Sequence, residues 1–170
     1  MRRSEIISEW FQQYHQDVYN FLVYYTGKLD TEDLVQEVFI KALNGIDRFD
    51  GRSSPKTWLF SIARNVAVDE SRKQKRRGSG RTVTLDKAPE VRSDRSPEDI
   101  LQDHELKRQL YESIQSLKSN YREVLILRGI KDLTVAETAA VLGWSESKVK
   151  TTYSRAIKTL RMKQGGTRDE

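Results

Sequence analysis

At 170 residues, with 36% apolar and 32% charged content, the chain has the length for one medium domain or two small ones. Its apolar content is too low for one large core, so any core is expected to be small and divided. There is no cysteine, which excludes disulfides and thiolate metal sites and fits a reducing compartment. No apolar run approaches the length of a membrane span or a signal-peptide core, so a soluble, unexported protein is expected. The net charge of +5 is unevenly spread. Residues 1–70 carry 8 basic and 11 acidic side chains, 71–83 carry 6 and none, 84–104 carry 3 and 6, and 105–170 carry 13 and 8. Two concentrations of positive charge suit a polyanion contacted at two places.

From about Ser4 to Thr26, Ile7, Trp10, Phe11, Tyr14, Val18, Phe21, Leu22 and Tyr25 recur at steps of three and four. This predicts a helix with a wide aromatic core stripe, closed by Gly27. Asp30 or Thr31 then caps a second helix that buries Leu34, Val35, Val38, Phe39, Ala42, Leu43 and Ile46. Asp33, Gln36, Glu37 and Lys41 fall on its other side. Asp33 and Glu37, one turn apart, are spaced to share a metal or a proton, but His15 and His104 lie at no ligand spacing from them. A solvated face or a basic protein partner explains the two carboxylates better.

The stretch 49–77 begins with Phe49 in a Gly/Ser turn. A third helix follows, with Ser54 as N-cap and Pro55 as its first residue, and extends to about residue 75. At roughly 100° per residue, Leu59, Ile62, Ala63 and Val66 form its core stripe. Trp58, Ser61, Asn65, Arg72 and Arg76 share a neighbouring face. An aromatic plane, an amide and cations on one face suit a nucleic-acid strand whose bases are stacked and hydrogen-bonded; a solvated basic helix end is the alternative.

Residues 78–96 are rich in Gly, Ser, Pro and charge and predict a flexible interdomain linker, with an r.m.s. span on the order of 20–25 Å and only a weak strand or turn signal at 83–85. Ser96 and Pro97 start a helix whose apolar side comprises Ile100, Leu101, Leu106, Leu110, Ile114 and Leu117. Another begins near Asn120 and buries Val124, Leu125 and Leu127, with Gly129 near its end. Thr134 and Glu137 form a capping box before a short helix with Ala139, Ala140 and Leu142, Gly143 turns the chain, and Ser145 caps a longer helix from about Glu146 to Met162. Short helix, glycine turn and longer helix make a helix-turn-helix, whose second helix enters the DNA major groove. The two alanines suit close helix crossing. On the second helix Val149, Tyr153, Ala156, Ile157 and Leu160 pack; Ser147, Lys148, Thr151, Ser154, Arg155 and Lys158 face outward.

With these pieces in order, the sequence resembles the extracytoplasmic-function (ECF, group 4) sigma factors of bacterial RNA polymerase, in the sigma-70 family, over nearly its whole length. Asp33-Leu34-Val35-Gln36-Glu37-Val38-Phe39 is similar to the segment that docks on the clamp helices of the polymerase's largest subunit. Phe49-Asp50-Gly51-Arg52-Ser53, Lys56-Thr57-Trp58-Leu59 and Ile62-Ala63-Arg64-Asn65 resemble the segments that open and read the −10 element. Tyr121-Arg122-Glu123-Val124-Leu125 and the helix-turn-helix resemble the −35-reading domain. The resemblance implies an all-α fold: residues 1–77 as the region 2 domain, a linker at 78–96, and residues 97–170 as the region 4 domain. Core polymerase would meet Asp33, Leu34, Gln36, Glu37 and Lys41. Phe49, Gly51, Arg52, Ser53 and Asn65 would hold a flipped −10 base. Trp58 would stand at the upstream edge of the bubble, and Lys56, Arg64, Arg72, Lys73, Arg76 and Arg77 would follow the −10 DNA, largely its phosphates. At −35, Ser147, Lys148, Lys150, Thr151, Ser154 and Arg155 would enter the major groove, with Lys158 and Arg161 on phosphates.

The resemblance further implies a cytoplasmic protein without cofactor, metal or catalytic residue, responsive to stress. Its partners would be core polymerase, promoter DNA as duplex and as single non-template strand, and a membrane-anchored anti-sigma factor. The linker shows no third domain, and the tail after Met162 is short and polar, with no added sensing domain. The recognition helix departs from the family's frequent arginines, with Thr151, Thr152 and Ser154 on much of its face. An ordinary helix-turn-helix regulator acting without polymerase would explain residues 105–163 but not the two earlier segments. An enzyme acting on DNA would need a nucleophile or carboxylate cluster, for which only Asp33 and Glu37 come close.

Overall fold

A computed structural model describes residues 2–77 and 97–165, with the side chains of 97–104 and 164–165 outside the description. Among the described residues every regular element is helical: α1 Arg3–Thr26, α2 Glu32–Gly45, α3 Pro55–Arg76, α4 Pro97–Gln115, α5 Ser119–Val124, α6 Val135–Leu142 and α7 Glu146–Gly165. A 3₁₀ turn, Ile46–Arg48, follows α2, and a π-helical turn, Leu125–Ile130, continues α5. The linker reading and the cap at Ser96 lie outside the described residues.

Helices α1, α2 and α3 pack on one another around Val18, Phe21, Leu22, Val38, Ala42, Leu59, Phe60, Ala63 and Val66. Local chemistry sets their ends. Gly27 takes the left-handed conformation (φ 75°) and its N–H returns to the Val23 carbonyl at 2.9 Å, closing α1. Ser54 accepts the Thr57 N–H at 3.1 Å, and Pro55 opens α3, as the sequence predicts. Thr31 occupies the N-cap position of α2 but makes no capping bond; its hydroxyl is buried without a partner.

Several pattern-based assignments shift. Phe11, 41% exposed, sits at the rim of the core, edge-on to the buried Phe39 at 5.0 Å and stacked on the His15 ring at 4.9 Å. Leu43 is 36% exposed, and Leu34 is only half-buried. Leu106 is 65% exposed and Leu110 only partly buried, while Tyr111 is buried together with the predicted Ile114 and Leu117. Ala140 faces solvent, leaving Thr138 and Ala139 buried on α6.

The main core crosses between the two halves of the chain. Tyr111, Ile114, Ile126, Leu127, Leu133, Val141 and Leu142 join the cluster built by α1–α3, while Leu117, Val124, Leu125, Ala139, Val149 and Ala156 form a separate core under α7. The last turns of α1, Phe21-Leu22-Val23-Tyr24-Tyr25, are therefore buried all round. A side chain on Gly27 would meet the Gln115 amide oxygen at 2.8 Å, so glycine there serves both the turn and the approach of α4.

Candidate nucleic-acid interface

On the outer face of α2, Asp33 and Gln36 are exposed and Glu37 pairs with Lys41 at 3.5 Å. The same face carries Ile40, 58% exposed, beside Leu43. Sequence reasoning left Ile40 off the buried side of this helix but assigned it no role, because attention went to the charged residues around it. The face therefore presents an open apolar pair rimmed by carboxylates.

The turn before α3 is built from its own sequence. Phe49 donates its N–H to the Ile46 carbonyl at 3.1 Å. The Asp50 carboxylate accepts the Arg52 N–H at 3.0 Å and also pairs with the Arg52 guanidinium, and Gly51 sits at φ 79°. Trp10 braces this turn: its ring lies edge-on to Phe49 at 5.3 Å and to Trp58 at 5.9 Å, and those two rings meet at 5.3 Å. Trp58 is half-buried, with Gly45 close to its ring, so the aromatic plane on this face is anchored in an aromatic trio. Trp10→Ala removes both edge contacts and a buried ring, and is expected to cost about 3–5 kcal/mol of stability. Hydrogen exchange should rise first at residues 49–54; exchange unchanged there in the variant would show that Trp10 does not brace the turn.

Asn65 is exposed on α3, two turns beyond Trp58, and Arg72, Lys73, Arg76 and Arg77 are exposed at the helix end. Gly51 and Arg52 are open and Ser53 is half-buried. Lys56 and Arg64 differ from these. The Lys56 ammonium lies 4.0 Å from Asp17 and 6.0 Å from the Phe60 ring centre. Arg64 turns toward α5, where its Nε donates to Glu123 at 3.3 Å.

In the second half the predicted capping box is present: Thr134 accepts the Glu137 N–H at 3.0 Å, and Glu137 accepts the Thr134 N–H at 2.9 Å. Gly143 closes α6 at φ 70°, and Ser145 accepts the Lys148 N–H at 3.1 Å to start α7. Val149 and Ala156 are buried and Tyr153, Ile157 and Leu160 half-buried. Ser147, Lys148, Lys150, Thr151, Ser154, Arg155, Lys158 and Arg161 are all exposed on this one helix. Thr152 is buried at 8% and belongs to the packed side, correcting its place on the outward face. Lys148 lies over the Trp144 ring at 4.3 Å, which fixes its stem at the helix start. Arg155, mid-face and without an ion pair among the described residues, is expected to carry base selectivity: Arg155→Ala should flatten discrimination among −35 variants by about 1–3 kcal/mol. A footprint equally selective on shuffled sites would remove it from that role.

Sequence reasoning also missed Glu123. It is buried at 5% and accepts from the Tyr25 hydroxyl at 2.5 Å as well as from Arg64, joining α1, α3 and α5. Nearby, Arg122 donates to the Tyr25 carbonyl and to the Gln115 and Leu117 carbonyls, each at 3.2 Å. Gln115 donates to the Tyr24 carbonyl at 2.5 Å, Thr57 to Glu137 at 3.0 Å, and Lys131 to Asp17 at 3.3 Å. Burial first, then the bond to Glu123, pushes the Tyr25 phenol well above its ordinary range. Burial pulls Lys131 down against the opposing pull of Asp17. The Thr134 backbone bond, with the Thr57 hydroxyl, holds the Glu137 carboxyl low despite some burial. The signal for this seam was present in the all-apolar end of α1, because a helix apolar all round needs cover on both sides.

No group of three His, Cys, Asp or Glu side chains among the described residues is arranged to hold a metal ion, and no described helix is long and apolar enough to cross a membrane.

Comparison with known proteins gives the same order of parts. The family described as Sigma-70 region 2 matches residues 10–77, and Sigma-70, region 4 matches residues 107–160. The ECF RNA polymerase sigma factor SigX of Bacillus subtilis is 44% identical, over 94% of this chain and 84% of that one. The RNA polymerase sigma factor YlaC of the same organism is 34% identical over 100% and 98% of the two chains. Among solved structures, the sigma factor RpoE of Bartonella quintana, in complex with the anti-sigma factor NepR, superposes with a TM-score of 0.73 at 25% identity, covering 91% of this chain and 94% of that one. On the two matched regions and the relatives that share both, the chain belongs to the extracytoplasmic-function sigma factors of the sigma-70 family.

Proposed function

We propose that this ECF sigma factor directs promoter-specific initiation through three surfaces on separate elements. Residues 1–77 form the region 2 domain and residues 97–170 the region 4 domain. Core RNA polymerase docks on α2 through Asp33, Gln36 and Glu37, with Lys41 at the edge and Leu34 beneath, around the apolar pair Ile40 and Leu43. The turn Phe49–Ser54 and Asn65 receive a base unstacked from the −10 non-template strand. Phe49 and Trp58 shape that pocket more than they stack in it. Arg72, Lys73, Arg76 and Arg77 guide the strand by its phosphates, and α7 reads the −35 duplex.

The factor makes and breaks no covalent bond; binding energy drives strand separation and the polymerase makes RNA. It works in the cytoplasm. An anti-sigma factor restrains it, as the NepR complex of its Bartonella relative suggests. The observation that carries this reading is the conjunction, in family order, of an apolar-acidic face on α2, an exposed amide beside a braced turn on α3, and an outward polar face on α7. Run-off transcription with core polymerase over a genomic promoter library tests it. The expected result is a set of starts sharing −10 and −35 sequences. Tight duplex binding indifferent to core polymerase, with no transcripts, would instead indicate an independent helix-turn-helix regulator.

A further inference from the structure

The first turn of α7 carries a cation that the helix itself does not favour. Lys148 is the third residue of α7, its N–H bonded to the Ser145 capping hydroxyl at 3.1 Å. There the positive end of the helix dipole opposes a positive side chain. Lys148 is exposed and makes no ion pair with a described residue; its ammonium lies over the Trp144 ring, 4.3 Å from the centre. Trp144 is itself held fast. It is half-buried, packs against both cores, and donates its N–H to the Ala139 carbonyl at 3.1 Å across the Gly143 turn. We infer that Trp144 is a positioning residue that holds the Lys148 ammonium at the groove-entering end of α7, and that Lys148 there reads a guanine edge of the −35 element rather than a phosphate. The inference rests on the function proposed above and adds to it one residue pair and one base.

A lysine on a flexible stem meets whichever phosphate is near and carries no sequence information. Held on an indole, that stem has already lost much of its freedom, so its ammonium meets the DNA in one place. Side chains on a helix slant toward its N-terminus, and a recognition helix contacts base edges with its N-terminal residues. Lys148, Thr151 and Arg155, spaced by three and then four residues, share one exposed stripe of that face. An ammonium has three donors and no acceptor. In the major groove guanine alone sets two acceptors side by side, N7 and O6. Adenine and cytosine place an amino donor there, and thymine joins a single acceptor to a methyl group. A pinned ammonium therefore selects guanine.

Two measurements test this. In the free parent chain the ε-methylene protons of Lys148, identified by their loss in Lys148→Ala, should resonate upfield in the indole ring current. A random-coil position would show the ammonium unpinned and overturn the inference. The second measurement is binding of the full chain with core polymerase to a promoter from the run-off experiment, each −35 base pair being replaced in turn. The parent should prefer guanine at one position by about 5- to 150-fold, and Lys148→Ala should flatten the preference at that position alone. Trp144→Leu, which keeps apolar bulk in the half-buried site, should lower the same preference about 2- to 5-fold, and Trp144→Phe should restore part of it. In the Lys148→Ala background Trp144→Leu should change selectivity no further, a result that a purely structural ring would not give. Should Trp144→Leu misfold by circular dichroism, Trp144→Phe and the exposed-site change Lys148→Ala carry the comparison. If Lys148→Ala instead weakens all promoters alike and lowers the salt slope by about one, Lys148 sits on a phosphate and the inference falls. Absence of any promoter-directed transcript from the parent sinks the proposed function; a selective parent with an equally selective, folded Trp144→Leu sinks only this inference.

Discussion

Ile40→Glu is expected to abolish association with core RNA polymerase while leaving the fold intact. Ile40 is 58% exposed in the free chain, so the substitution removes no internal contact, and a surface change of this kind alters stability by only about 0.5 kcal/mol. At a docked interface the same site loses about 1.5–3 kcal/mol of apolar burial. It also places an uncompensated carboxylate beside Asp33 and Glu37, at a cost of about 3–5 kcal/mol where the site is desolvated. Together these weaken binding by about three orders of magnitude or more. Ile40→Val should restore most of the affinity, because it keeps the apolar contact. Asp33→Lys with Glu37→Lys should act mainly on association rate and salt dependence, the Glu37 charge being already shared with Lys41. Equilibrium binding to purified core polymerase, with circular dichroism as the folding control, separates these outcomes. An Ile40→Glu affinity within about threefold of the parent would move the docking site off this face.

What the sequence made legible was local. Caps are read by atoms a few residues away, so Ser54, Thr134, Glu137 and Gly143 were assigned without tertiary knowledge. The outward face of α7 followed from period alone, because Val149 and Ala156 are buried deeply enough to fix its rotation. Where several neighbours compete for one helix, period was not enough. Phe11 lies at the rim of its stripe, Ile40 is an apolar residue outside its own, and Trp58 is an aromatic on the polar side that packs anyway. The widened turn at Leu125–Ile130, where the Lys131 N–H reaches back five residues to the Ile126 carbonyl at 2.9 Å, has no marker in composition. Glu123 was legible only as one letter of a family motif. Its partners Tyr25 and Arg64 lie 98 and 59 residues away, and no local rule joins them.

Asn65→Ala is expected to impair promoter opening and nothing else. The side chain is exposed on the face of α3 beside the seam, so truncation costs the fold little. Its amide offers both a donor and an acceptor, the pair needed to read the edge of a base. Losing such an edge contact weakens capture of the unstacked base by about 1–3 kcal/mol, or roughly 5- to 150-fold in the opening equilibrium. Permanganate reactivity of bubble thymines should fall accordingly, with core association and the −35 footprint unchanged. Gly51→Ala gives an independent check on the same pocket. No atom lies within 4 Å of the added methyl, yet φ of 79° strains any side chain there by about 1–2 kcal/mol, so the turn should shift without a clash. If the turn and Asn65 grip one base, the double variant should open little worse than the poorer single one, because a base already lost cannot be lost twice. Fully additive losses would place the two contacts on different nucleotides, and an Asn65→Ala bubble as reactive as the parent's would remove the amide from the pocket altogether.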